Sequence, residues 1–327
     1  MLLLSWLACT SEVPSRYLVL QPIDGEYTAA PMEIPSLEDP RRLTGALGDG
    51  VHGGEVSVEL LEGLRTTTTI TGGRAINIGF AVDSGLGVAT DPTGMALWSF
   101  YAHLDAMRME MGALGYDVEP IFPVEAIVFE PTLVAFPFAF SNAAYSADAD
   151  VFVLLPDAYD GVPFAANVGI VRHEFSHAWF NELTGGSRDS YLDEWSLNEG
   201  FADAVAGLTL DDPIPYAATM DNESRDLTGD WTAPDAEGSS SPYTMGTVYA
   251  SLVWDLRETT DDREDTLAHL IDSLLAWHLG TNAEEGAAAE FPRFFVESYQ
   301  ADPDTFAQAC IFAAFRFPSL EIPACTP

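Results

Sequence analysis

Residues 173 to 177 read His-Glu-Phe-Ser-His. On an α-helix, positions i and i+4 share one face, so the imidazoles of His173 and His177 can reach a single metal ion. Glu174, next to the first histidine, is placed to take a proton from an attacking water. With 6 His and 51 acidic residues in 327, random placement gives at most about 0.02 such matches per chain, which weighs against two unrelated helical histidines. Catalytic zinc takes three protein ligands and keeps one position open. Glu199 follows His177 by 22 residues and is the candidate third ligand. Asp203, one helical turn on, can accept a hydrogen bond from the second ring nitrogen of a zinc histidine. Apolar Phe201, Ala202 and Ala204 interleave with these two acids, which argues against a purely solvated helix face. His52, His103, His269 and His278 read as structural or surface residues.

The segment around these residues resembles the gluzincin peptidases, especially the thermolysin and fungalysin families, over roughly residues 95 to 257. The motif HExxH followed on a later helix by Glu and, four residues on, Asp is matched by His173, Glu174, His177, Glu199 and Asp203. Asn181-Glu182-Leu183-Thr184-Gly185-Gly186 is similar to the fungalysin continuation, and Asn198 before Glu199 is thermolysin-like. Asn142-Ala143-Ala144-Tyr145 resembles the edge-strand segment that pairs with substrate backbone in thermolysin-like enzymes, so the resemblance implies substrate binding at Asn142 and Ala143; a simple turn at Asn142 is the competing reading. Both families carry a His that stabilises the developing oxyanion, and Tyr243 stands at the matching place here. A phenol can donate to an oxyanion without being protonated, so Tyr243 can fill that role or simply pack. Tyr191 is a second candidate donor. Arg225 and Arg188 are both conceivable for the substrate-clamping arginine, and nothing in the sequence selects either.

The elements that must position these residues follow from periodicity. Alternation over residues 55 to 82 predicts antiparallel strands, with further strands over Val124 to Phe136, around Pro131, and Asp150 to Leu155. Helical spacing covers Ala96 to Leu114, Val168 to Leu183, Leu197 to Leu208, Met245 to Arg257, Glu264 to Leu279 and Phe291 to Tyr299. The expectation is an α+β, two-lobed, zincin-like fold: a β-rich lobe with one long helix over residues 46–167, then zinc-binding helices and a helical lobe over 168–327, with the active-site cleft between them. Residues 10–45, rich in Pro, Ser and Glu from Ser11 to Pro40, read as a tether or irregular lead-in.

A net charge of −38 would repel nucleic acid and anionic headgroups. All 13 basic residues are Arg, and Lys is absent. So many carboxylates admit bound Ca²⁺, but no EF-hand loop pattern supports it. Residues 1–9 resemble the end of a bacterial lipoprotein signal, with Ala8 before Cys9, although no positive segment precedes the apolar run. That reading implies export and a lipid anchor on Cys9 as the chain's one tie to a membrane; the alternative is a buried N-terminal strand. With Cys9 set apart, Cys310 and Cys325 form an even pair suited to a disulfide, or else two buried thiols. The function expected is zinc-dependent hydrolysis of peptide bonds in peptide or protein substrates. The alternatives are a catalytically weakened binding or scaffold protein of the cell envelope, and a zinc hydrolase acting on another substrate.

Overall fold

The computed structural model describes residues 13–60, 66–134, 143–155, 161–185, 192–219, 225–281 and 287–325. The strands are β1 (Arg16–Ile23), β2 (Glu26–Met32), β3 (Leu37–Asp39), β4 (Thr44–Gly45), β5 (Gly50–His52), β6 (Glu55–Leu60), β7 (Thr66–Thr71), β8 (Arg74–Ala75), β9 (Phe80–Asp83), β10 (Leu86–Ala89), β11 (Ala126–Phe129), β12 (Thr132–Val134), β13 (Ala143–Ser146) and β14 (Val151–Leu154). The α-helices are α1 (Pro92–Ala113), α2 (Val168–Leu183), α3 (Leu192–Leu210), α4 (Ala233–Ala236), α5 (Pro242–Thr260), α6 (Arg263–Thr281), α7 (Phe291–Glu297) and α8 (Pro303–Arg316). Among the described residues every strand precedes residue 155, and every α-helix but α1 begins at residue 168 or later. The class is α+β. No described helix is long and apolar enough to cross a membrane.

Three sheets matter for the site. One has the order β2-β1-β10-β9, a second β13-β14-β11-β5-β8, and a third β12-β6-β7. The second is mixed: β11 runs parallel to β14 and β5, while β13 pairs antiparallel with β14, Ala143 opposite Leu154 and Tyr145 opposite Phe152. β13 is an edge of that sheet.

The lead-in expected over residues 10–45 is ordered structure instead. β1 buries Tyr17 and Val19 on one face, and β2 pairs with it along its whole length. The turn is Asp24-Gly25, both with positive φ (50° and 82°), the two-residue geometry whose twist suits a tight hairpin. Proline and glutamate give this stretch an irregular composition, yet the two prolines inside the strands, Pro22 and Pro31, and the described glutamates are exposed, where they do not oppose pairing. The strand pair expected around Pro131 forms, but its halves separate: β11 joins the five-stranded sheet and β12 the three-stranded one. Helix α8, which has no counterpart in the sequence expectation, starts at Asp302, whose side chain caps the Asp304 amide at 3.2 Å, with Pro303 in its first turn. The Cys310–Cys325 disulfide is present and ties α8 to the chain's tail, Cα to Cα 5.5 Å.

Helix α2 is capped twice. The Asn167 side chain accepts the amides of Gly169 and Ile170 at 2.9 and 3.3 Å. The Val168 amide donates to the Tyr27 hydroxyl of β2 at 2.8 Å. Four amides at a helix start lack intrahelical partners, and three are satisfied here. α3 packs against α2 on one side and α5 on the other. The α3–α5 approach is backbone-close: a Cβ on Gly200 would lie 2.6 Å from the Gly246 carbonyl oxygen, and one on Gly246 would lie 3.0 Å from the Glu199 Cβ. Glycine at both positions therefore lets α5 pack backbone-close against the helix that carries Glu199.

Candidate metal centre

α2 presents both histidines on one face, as the i, i+4 spacing requires. Their Nε2 atoms stand 3.0 Å apart. From α3, Glu199 Oε2 lies 3.3 Å from His173 Nε2 and 3.7 Å from His177 Nε2. Among the described residues, these three form the one cluster of His, Cys, Asp or Glu able to hold a metal ion, all donor atoms within 4.8 Å. The cluster is buried: His173 is 5% and Glu199 4% exposed.

The far sides of the histidines show which atoms are free. His173 Nδ1 sits 3.0 Å from Asp203 Oδ1 and 3.0 Å from the Tyr216 hydroxyl. His177 Nδ1 sits 2.9 Å from Asn198 Oδ1. With carboxylate and amide oxygens opposite them, both Nδ1 atoms carry the ring hydrogen. Each neutral ring then has only a lone pair at Nε2. Two lone pairs and a carboxylate oxygen then converge on one point, an arrangement suited to a positive charge: a proton on His173 in the metal-free chain, or a metal ion. Glu199 Oε2 accepts no hydrogen bond although buried. These residues therefore fit a metal, and two imidazoles plus one carboxylate suit zinc.

Asp203 is the hub of the support. The Tyr216 hydroxyl donates to its Oδ1 at 2.6 Å, Arg225 Nε donates to its Oδ2 at 3.1 Å, and an Arg225 terminal nitrogen also pairs with Oδ1. The guanidinium lies 4.8 Å from the ring centroids of both Tyr216 and Tyr243. Burial alone would raise the Asp203 pKa; Arg225 and His173 outweigh it and hold the carboxyl below its usual range. Burial also opposes a charge on His173, but the adjacent Asp203 and Glu199 carboxylates lift its pKa to about 9 in the metal-free chain. Glu199 is held below the ordinary range: burial opposes ionisation, and His177, His173 and Arg225 favour it more. On α3, the Trp195 indole N–H donates to Glu199 Oε1 at 3.2 Å, so the two oxygens of that carboxylate are divided between tryptophan and histidines.

Glu174 is 4% exposed and its pKa is raised, chiefly by burial, with the nearby Glu199 adding to the rise. It accepts the Tyr145 amide of β13, and its Oε2 has no hydrogen-bond partner among the described residues. Tyr243 reaches the centre through its ring, stacked on Arg225. Arg225, conceivable from sequence as a substrate clamp, is engaged by Asp203 instead. Ala143 is buried at the start of β13. Tyr191, Asn142, Arg188 and Cys9 lie outside the described residues. The other histidines stand apart: His52 pairs with Glu130 at 3.2 Å, His103 meets the Leu20 carbonyl at 2.7 Å, and His269 stacks on Tyr299. The roles of Tyr216, Asn198 and Trp195 were not read from sequence. Asn198 and Trp195 flank Glu199 on the same helix, so their neighbourhood was available; Tyr216 is a loop residue with no periodic link to the motif.

No family model matches the sequence, and no curated protein matches it. Among solved structures the fold is similar to that of the precursor of protealysin, a metalloproteinase from Serratia proteamaculans, with a TM-score of 0.52 and 13% sequence identity over 81% of this chain and 87% of that one. At that identity the likeness is one of fold alone.

Proposed function

We propose that this chain is a zinc-dependent metallopeptidase of gluzincin type. The observation that carries it is the convergence of His173 Nε2, His177 Nε2 and Glu199 Oε2, with both Nδ1 atoms committed to acceptors on the far side. A zinc ion there supplies Lewis-acid chemistry and makes water a competent nucleophile at neutral pH. Glu174 takes the proton of the attacking water at its unpartnered Oε2 and passes it to the leaving amine. Burial raises Glu174 above the ordinary carboxylate range, toward the pH at which it must exchange protons. Asp203, anchored by Arg225 and Tyr216, keeps His173 in the tautomer that presents Nε2.

The substrate is a peptide or protein segment, laid along the edge of β13 from Asn142 and Ala143 by strand addition. The amide from Tyr145 of that strand to Glu174 supports this, because it brings the sheet edge against the base. Tyr243, or Tyr191, donates to the oxyanion, and the site lies in a cleft between two lobes. We place the protein outside the cytoplasm, with Cys9 as a lipid anchor; the Cys310–Cys325 disulfide is consistent with that placement.

One observation favours a second reading, a weakened gluzincin-fold binding protein: Tyr243 offers its ring to Arg225, a packing role that leaves catalysis without a histidine donor. Zinc analysis with a peptide-hydrolysis assay, run with and without chelator, separates the two. The peptidase reading expects about one zinc per chain and hydrolysis abolished by chelation. Zinc without turnover would favour the binding protein.

A further inference from the structure

The residues that hold the ligands are almost wholly enclosed, with one exception. Asp203, Tyr216 and Asn198 are 1%, 2% and 8% exposed, whereas Trp195 is 40% exposed. It lies one helical turn before Glu199 and gives its only polar atom to that carboxylate. A large apolar ring held open to solvent against a ligand carboxylate needs a reason, since burying it would be favourable. Among the described residues, the other exposed large apolar side chains after residue 168 are Ile214, in the loop after α3, and Leu279, Ile311 and Phe315 on α6 and α8.

The chemistry of an indole face selects what it takes. Its negative face attracts cations, best of all the aromatic side chains. Arg225, a ready-made cation nearby, is bound to Asp203 and lies over Tyr216 and Tyr243. The whole chain carries −38 charges, a field that draws in cationic ligands and repels acidic ones.

Resting on the peptidase reading above, we propose that Trp195 determines specificity, holding Glu199 through its indole N–H while its open face receives a Lys or Arg side chain of the peptide near the scissile bond. The same composition protects the enzyme from itself: with no Lys and only 13 Arg, it offers few of its own bonds to such a site.

The test uses the full zinc-loaded chain and matched peptides carrying Arg, Phe, Ala or Glu at each position flanking the cleaved bond. Wild type is expected to favour the Arg peptide over the Ala peptide by about tenfold in kcat/KM, the size of one cation–ring contact shielded from water. Trp195→Leu should reduce that ratio to within about twofold. Trp195→Gln, which keeps an N–H donor without a ring, should lose the preference but hold zinc as wild type does. Trp195→Phe should keep much of the preference and bind zinc about tenfold more weakly by chelator competition, because Glu199 loses its donor. Raising salt to about 1 M should erase the penalty on the Glu peptide, which is long-range, and leave much of the Arg-over-Ala ratio, which is local. An unchanged ratio in Trp195→Leu and Trp195→Gln, or a wild-type preference for Phe or Glu, would overturn the proposal. Wild-type zinc affinity in Trp195→Phe would overturn its first half. If no peptide is hydrolysed, it is the peptidase reading that fails; binding of the same peptides by calorimetry, wild type against Trp195→Leu, then decides the role of Trp195.

Discussion

The two histidines of the candidate metal centre share a helix but are held in opposite ways. His173 leans on a charged, buried assembly in which Asp203 bonds Arg225 and Tyr216 together. His177 leans on one neutral amide, Asn198, a residue already beside the third ligand. A neutral acceptor can fix a tautomer, and a carboxylate can also raise the basicity of the ring it holds. Burying that carboxylate is costly unless it is paired, so the charged solution brings in Arg225, and Arg225 in turn brings two tyrosine rings. One ligand thus ties the metal centre to residues in three separate chain segments, and the other ties it only to its own neighbourhood.

The largest expected effect leaves both histidine supports intact. Glu174→Gln keeps the shape of the side chain and loses the base. Hydrolysis should fall by about 10²–10⁴-fold while metal analysis still finds about one zinc per chain. Equal turnover in that variant would show that the proton is taken elsewhere.

Breaking the charged side should cost both metal and stability. Asp203→Ala leaves Arg225 buried beside His173 without its partner. Urea unfolding should show a loss of about 3–5 kcal/mol, and chelator competition a zinc affinity weakened by about 10–100-fold. If the variant does not fold, the milder Asp203→Asn should show the same loss of affinity in a folded chain.

His103 supplies a third kind of histidine, buried at 4% exposure with no carboxylate bonded to it. Burial presses its pKa down to about 4, against 6.5 unfolded. The unfolded chain therefore takes up the proton first. The stability from keeping this ring neutral is fully present above pH ~6.5 and is lost as pH falls toward about 4, by at most about 3 kcal/mol. In His103→Gln the stability profile between those values should flatten; an unchanged slope would place the acid sensitivity in other groups.

The smallest effect belongs to the neutral side. Asn198→Ala removes the hydrogen bond to His177 and leaves no buried charge. Zinc affinity should weaken by a few-fold at most, about 1 kcal/mol, with little change in unfolding. A loss as large as that of Asp203→Ala would abolish the contrast between the two supports.

What the sequence made legible followed periodicity. HEFSH, Glu199 and Asp203 sit at i, i+4 spacings on helices, and the helices that carry them lie where apolar spacing places them. Beginnings were harder: α3 starts at Leu192 rather than Leu197, because Asp193, Glu194 and Ser196 break the apolar pattern while Glu194 and Ser196 are buried. Residues that meet the centre from loops carry no spacing signal at all. Tyr216 and Arg225 arrive by tertiary packing, and for that reason nothing in the sequence selects a role for Arg225. The β1–β2 hairpin is masked in the sequence by Pro, Ser and Glu, although the Tyr17, Val19 alternation and the Asp24-Gly25 turn mark it.

The Tyr27 hydroxyl that receives the Val168 amide is 141 residues away along the chain. A contact of such high sequence separation is slow to find and must be closed against the entropy of everything between. During synthesis the hairpin emerges long before the helix it caps. The start of the helix that carries His173 and His177 is thus completed by a partner made much earlier, which ties the β1–β2 hairpin to the candidate metal centre.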